Sequence, residues 1–260
     1  MARTIVVLCV AIAFPFAVVA AASEASRGAL WNVVQTCLAT HALTGAAFPC
    51  LEVNVSGGDE RGYVILRAPF GRPDLILAPT RKTVGVEDPS LQTLDAPNYF
   101  EDAWNGRAFL SDGRQKPLAR NDVALAVNSR RSRSQDQLHI HIGCLSSEVK
   151  RTLQTLAPAL PENRWVRIGE PMSIGNSLHG PGLWGRRIDK ETLAGVNPFR
   201  LATDGRSDGT ESRSRLMIVV AGVQLANGPG GFVLLASYDD PSHPNDQFSA
   251  ENFLDPWCSL

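Results

Sequence analysis

Between residues 134 and 144 the chain reads SQDQLHIHIGC, and this stretch constrains the fold more than any other. Polar and bulky aliphatic residues alternate strictly from Gln137 to Ile142. A period of two is the signature of a β-strand, whose successive side chains point to opposite faces. Leu138, Ile140 and Ile142 therefore line one face, which reads as core, while Gln137, His139 and His141 share the other. An amide and two imidazoles in one row call for a chemical explanation.

The elements around that strand suggest an α+β chain. Leu30, Val33, Val34, Cys37 and Leu38 recur at helical spacing and predict an amphipathic helix over 26–40. GYVILRA (62–68) and DLILAPT (74–80) flank PFGRP and read as a hairpin. Pro97 opens a second helix with Phe100, Ala103, Trp104 and Ala108 on one stripe, and DVALAVN (122–128) is a further strand. A third helix begins near Ser146 and turns Val149, Leu153 and Leu156 inward. Residues 159–182, rich in Pro and Gly, read as a connection to a smaller second half over 183–260. That half holds a short helix near 189–195, a polar surface loop over 204–215, and a second hairpin of RLMIVVAGV and GGFVLLASY around a Gly-rich turn.

Residues 5–22 are apolar and uncharged, follow Arg3, and end in Ala20-Ala21-Ala22. Such a segment is either a cleaved signal peptide or a single membrane anchor. Both place the rest of the chain outside the cytoplasm. With Cys9 in the leader, Cys37, Cys50, Cys144 and Cys258 remain, an even number suited to disulfides. Three pairings are open. The short loop favours Cys37–Cys50, and Cys144–Cys258 would then tie the end of the chain to the histidine strand. The net charge of −1 gives no electrostatic footprint for nucleic acid.

Two chemistries suit the polar face. A metal could be held by His139, His141 and Cys144 with His41, His179 or His243 as a fourth ligand. Cys144, however, lies on the opposite strand face, and no carboxylate falls on the histidine face to orient a ring. Nucleophilic catalysis at phosphorus fits better, because a neutral imidazole attacks a phosphate ester without first losing a proton. A second imidazole, amides and hydroxyls then stabilise the charge on the phosphoryl oxygens.

The stretch LAVNSRRSRSQDQLHIHIGC resembles the histidine-triad superfamily, in which alternating histidines on a strand follow a strand ending in Asn and a loop carrying Ser or Thr. More narrowly, PCLEV, GYVILR, NSR, HIHIGC, the leader and the four exported cysteines resemble the CDP-diacylglycerol pyrophosphatases. The resemblance implies a histidine-triad-like antiparallel sheet over 26–158 and hydrolysis of CDP-diacylglycerol to CMP and phosphatidate. It implies His139 as nucleophile and His141 as donor to the phosphate or leaving oxygen. It also implies Gln137, Asn128, Ser134 and Lys82 as contacts to the phosphates, a membrane-held phospholipid-linked nucleotide as partner, and no metal or cofactor. Gln137 stands where the superfamily has its first histidine and supplies a hydrogen bond but no charge. The alternatives are a hydrolase of soluble nucleotides and a non-catalytic exported binding protein.

Overall fold

The computed structural model describes residues 26–111, 117–168, 182–203, 210–225, 230–239 and 248–259. The leader expected at 5–22 lies outside them, as do His179, His243 and most of the connection. Among the described residues no helix is long and apolar enough to cross a membrane.

The chain begins with α1 (Ala29–Thr44), which ends where Gly45 turns left-handed at φ 75° and donates its amide to the His41 carbonyl. Three strands follow, β1 (Glu52–Asn54), β2 (Tyr63–Arg67) and β3 (Leu75–Pro79), then α2 (Tyr99–Gly106), β4 (Val123–Val127), β5 (Ile140–Cys144) and α3 (Ser147–Leu156). The later part holds β6 (Val166–Ile168), β7 (Leu183–Ile188), α4 (Pro198–Thr203), α5 (Thr210–Ser214), β8 (Leu216–Val223) and β9 (Gly231–Tyr238). All nine strands form one antiparallel sheet in the order β1-β2-β3-β5-β4-β8-β9-β7-β6. β4 pairs with β8 through Ala124–Val127, so strands from both parts of the chain share a single ladder.

Both sheet faces are covered, which explains why β4, β5, β8 and most of β9 are buried along their whole length. One face carries Leu77, Leu125, Ile140, Ile142, Ile218 and Leu234 beneath α2 and α4. There Phe100 meets Phe199 at 4.8 Å between ring centroids. The opposite face is covered in two separate patches. α1 packs Leu30, Val34 and Cys37 on Val64, Leu66, Ile76 and Ala78. Farther along, α3 and residues 248–254 cover Ala124, Ala126, Val219 and Leu235. Between the patches runs β5.

The expected hairpins and the first three helices are present. Ala108 is not on the buried stripe, because after Gly106 the helix tightens into a 3₁₀ turn that buries Leu110 instead. The short helix expected near 189–195 lies at Pro198–Thr203, where Pro198 opens the first turn and Asn197 Oδ1 accepts from the Arg200 amide. Within the expected surface loop, Thr210–Ser214 is helical. The disulfides are Cys37–Cys50 and Cys144–Cys258, with Cα separations of 5.8 and 5.1 Å. Trp104 is core, in edge contact with Phe232.

Candidate active site

The ladder starts at Ile140, so His139 stands at the entry to β5 and His141 one pleat further in. Ile76 and Ala126 lie directly opposite His141 on the neighbouring strands, and cross-strand partners share a face. The histidines thus occupy the strip of sheet left between α1 on one side and residues 248–254 on the other. The flanking small side chains of Ala124 and Ala126 leave them space. Their rings are 5.1 Å apart, edge to face, and each residue is 6 % exposed.

His139 Nδ1 lies 2.7 Å from the Gln137 carbonyl. A carbonyl only accepts, so Nδ1 carries the proton and Nε2 keeps its lone pair. Burial, reinforced by the neighbouring His141, pushes the pKa of His139 down to about 4. The ring is therefore neutral at physiological pH, and its lone pair is on Nε2.

His141 has a different setting. Its Nδ1 lies 3.2 Å from Asp74 Oδ2, and its Nε2 lies 3.2 Å from Glu251 Oε1, the latter without hydrogen-bond alignment. Arg72 joins the two carboxylates, donating from Nε to Asp74 Oδ1 at 2.9 Å and from Nη1 to Glu251 Oε2 at 2.8 Å. Burial alone raises the pKa of Asp74, but the hydrogen bond and charge of His141, with Arg72, hold it below the usual range. Glu251 is likewise raised by burial and brought below its ordinary value by His141, Arg72 and Asn128. Gly143 lets the chain end pack closely on β5: a Cβ there would meet Leu254 Cδ1 at 3.0 Å.

Asn128, at the end of β4, belongs to this cluster. Its Nδ2 donates to Glu251 Oε1 at 2.7 Å, while its Oδ1 accepts from Ser249 Oγ and the Ala250 amide. It holds the C-terminal segment over the histidines. Gln137 is fully buried: Nε2 donates to the carbonyls of Pro79 and Arg81, and Oε1 accepts from the Thr83 amide. With both protons used, it joins the 79–83 backbone to the histidine strand and offers no free donor.

The remaining expected residues lie apart from the rings. Ser134 is exposed, and Lys82 lines a cleft of about 1070 Å³ at the end of the sheet where His139 enters. Arg130, Arg131 and Arg215 line the same cleft, and neither histidine does. Arg133 turns inward, forming a buried bidentate pair with Glu87 at 2.6 and 2.8 Å and reaching Asp136. Asp136 in turn is held near pKa 2, chiefly by its hydrogen bonds from Arg27. The loop before β5 is thereby fixed to the start of α1.

The sequence reading missed Asp74, Arg72 and Glu251. Asp74 has the parity of Ile76 and so shares the histidine face. The only signal for Glu251 was the nearby Cys258, whose bridge to Cys144 brings the chain end to β5. Among the described residues, Asp74, His141 and Glu251 bring metal-type donor atoms within 4.8 Å of one another. Arg72 binds the other oxygen of each carboxylate, Asp74 Oδ1 and Glu251 Oε2, and so offsets part of their charge. The alternative set with Cys144 fails because that sulfur is bonded to Cys258.

A family model described as CDP-diacylglycerol pyrophosphatase matches residues 25–260. The chain belongs to this family. The CDP-diacylglycerol pyrophosphatase of Yersinia pestis is 33 % identical over 89 % of the chain and 84 % of its own length. A probable CDP-diacylglycerol pyrophosphatase of Mycobacterium leprae (strain TN) is 30 % identical over 92 % of the chain and 82 % of its own length. The span of the match to the CDP-diacylglycerol pyrophosphatase family includes every residue of the cluster, Glu251 among them.

Proposed function

We propose that this enzyme hydrolyses the pyrophosphate bond of CDP-diacylglycerol to CMP and phosphatidate through a nucleotidyl-histidine intermediate. The observation that carries the mechanism is the pairing of two unlike imidazoles on one strand. His139 is neutral, with no hydrogen-bond partner for Nε2 among the described residues, and His141 lies between two carboxylates. Nε2 of His139 attacks the cytidine-side phosphorus, the bridging P–O bond breaks, and phosphatidate leaves. Water then attacks the same phosphorus, releasing CMP and restoring the lone pair to His139.

His141 handles the proton. Asp74 and Glu251 bring two negative charges and Arg72 one positive charge, so a proton on His141 makes the cluster neutral. That proton can be given to a phosphoryl or leaving oxygen and recovered from the incoming water. Phosphatidate leaves readily, which fits a first triad position occupied by Gln137, an uncharged structural amide. Lys82 and Ser134, on exposed loops at the His139 end, are the proposed outer contacts to the phosphates, and Asn128 supports the inner ones. The histidine-triad-like reading of residues 26–158 rests on this chemistry and on the Asn128-ended strand beside β5. Residues 183–260 contribute Glu251 to it. The apolar run at 5–22 would hold the enzyme to the membrane with its site on the extracytoplasmic side.

Turnover in H₂¹⁸O tests the site of attack. The account expects one ¹⁸O in CMP and none in phosphatidate. Label in phosphatidate would place the attack on the lipid-side phosphorus and overturn it.

A further inference from the structure

One residue in five is charged in this protein, yet no Asp, Glu, Lys or Arg occurs from Gly28 to Leu51. This stretch contains α1 and the loop after it, and only one side of it is buried. Asn32, Gln35, Thr36, Ala39 and Leu43 form an exposed face of α1. A helix that faces water on one side ordinarily carries charged residues there. Here the outward residues are uncharged amides, a hydroxyl, alanine and leucine.

The far end of α1 becomes more apolar. Leu43 is 85 % exposed and Phe48 is 76 % exposed. Phe48 is two residues from Cys50, whose disulfide to Cys37 ties the loop to the helix. Cys50, Leu66 and Ala68 share the cluster beneath α1, which places the β2–β3 turn at this same end. The tip of that turn is Phe70, 99 % exposed and held at φ 63°, a region costly for a residue with a Cβ. At the near end stands Arg27, a few residues after the apolar run 5–22.

α1 covers the same sheet face that bears His139 and His141. The strip of sheet that bears the two histidines, between α1 and residues 248–254, therefore lies on the same side of the sheet as α1. A flat surface laid on the outer face of α1 would lie over that side of the sheet.

We infer that the outer face of α1, with Leu43, Phe48 and Phe70 at its end, is an interfacial surface that lies on a phospholipid bilayer. The exposed phenyl groups and Leu43 enter the boundary with the acyl chains, and the outer face of α1 carries no charge that would have to be desolvated there. The inference extends the reading of a lipid-linked substrate: the substrate's headgroup would reach the histidine strip while its acyl chains stay in the membrane. A second copy of the chain suits the face less well, because its middle is polar where a dry interface needs apolar area.

The test uses the full-length chain in phosphatidylcholine–phosphatidylglycerol vesicles, with phosphatidylcholine brominated near the carbonyl end of its acyl chains. Tryptophan is introduced by Gln35→Trp or Phe70→Trp, with Asn105→Trp, exposed on the other sheet face, as control. The added fluorescence at 35 and 70 is expected to be quenched at least threefold more than that at 105. Equal quenching at all three positions overturns the inference, as does concentration-dependent cross-linking between copies at position 35 in place of quenching. This readout needs no turnover, so it stands or falls apart from the proposed reaction. A second measurement introduces charge, Gln35→Glu with Ala39→Glu. Its KM for long-chain CDP-diacylglycerol in vesicles should rise at least fivefold, while kcat/KM for a water-soluble short-chain analogue stays within twofold. A parallel loss on both substrates would mean a structural role and contradict the docking surface.

Discussion

His139 was legible from spacing alone, because alternation fixes the face of a strand residue wherever that strand sits. Its partners were not, because Asp74 and Glu251 reach His141 only through sheet register and the fold of the chain end. The burial of His139 carries two pH predictions. In the proposed mechanism its neutral form is the nucleophile, so kcat/KM should fall below an apparent pKa near 4, with no acid limb between 5 and 7. Its folded pKa is depressed below the unfolded value of about 6.5, so the unfolded chain binds more protons between those values. Stability is thus complete above about pH 6.5 and declines as pH falls towards 4. Urea titrations of wild type and His139→Gln should show that the variant loses this slope. Replacing Glu251 by Gln should lower kcat on the order of 10²-fold with little change in KM, since the group acts through His141. An unchanged kcat would remove Glu251 from the proton path.

At the scale of elements, helices and hairpins with clear periodicity were read correctly from sequence. The misplaced short helix shows the limit: the capping Asn197 and following Pro198 mark the helix start better than the apolar residues before them. The C-terminal segment has no periodicity at all, and only its cysteine indicated where it docks. Cys258→Ser should lower stability by about 2–5 kcal/mol. It should also reduce kcat, because the segment that the bridge holds carries Glu251; thermal unfolding and steady-state rates read the two effects. On α2, burial and the nearby Glu101 and Glu52 raise the pKa of Asp102 to about 6. The folded state therefore loses stability as pH rises from about 4 through 6, where the unfolded carboxyl ionises first. Asp102→Asn should raise Tm at pH 7.5 by a few degrees, about 1–2 kcal/mol after allowance for solvent screening. The gain should vanish near pH 4.

At the scale of the molecule, one sheet gathers the two parts of the site. β5 and β3 bring His139, His141 and Asp74; the chain end brings Glu251 through Asn128 and the bridge at Cys144. This joining through β4 and β8 could not be read from sequence, since nothing local specifies which strands from distant parts of a chain will pair. The central claim concerns what the joined site does, and the most direct measurement traps its intermediate. Wild type and His139→Ala are mixed with cytidine-labelled CDP-diacylglycerol in a rapid-quench apparatus. The account predicts an acid-labile labelled protein in wild type within one turnover, absent in the variant, with CMP release slowed about 10⁴-fold or more. CMP release that is fast in the variant, or a wild type that turns over with no labelled protein, would contradict it.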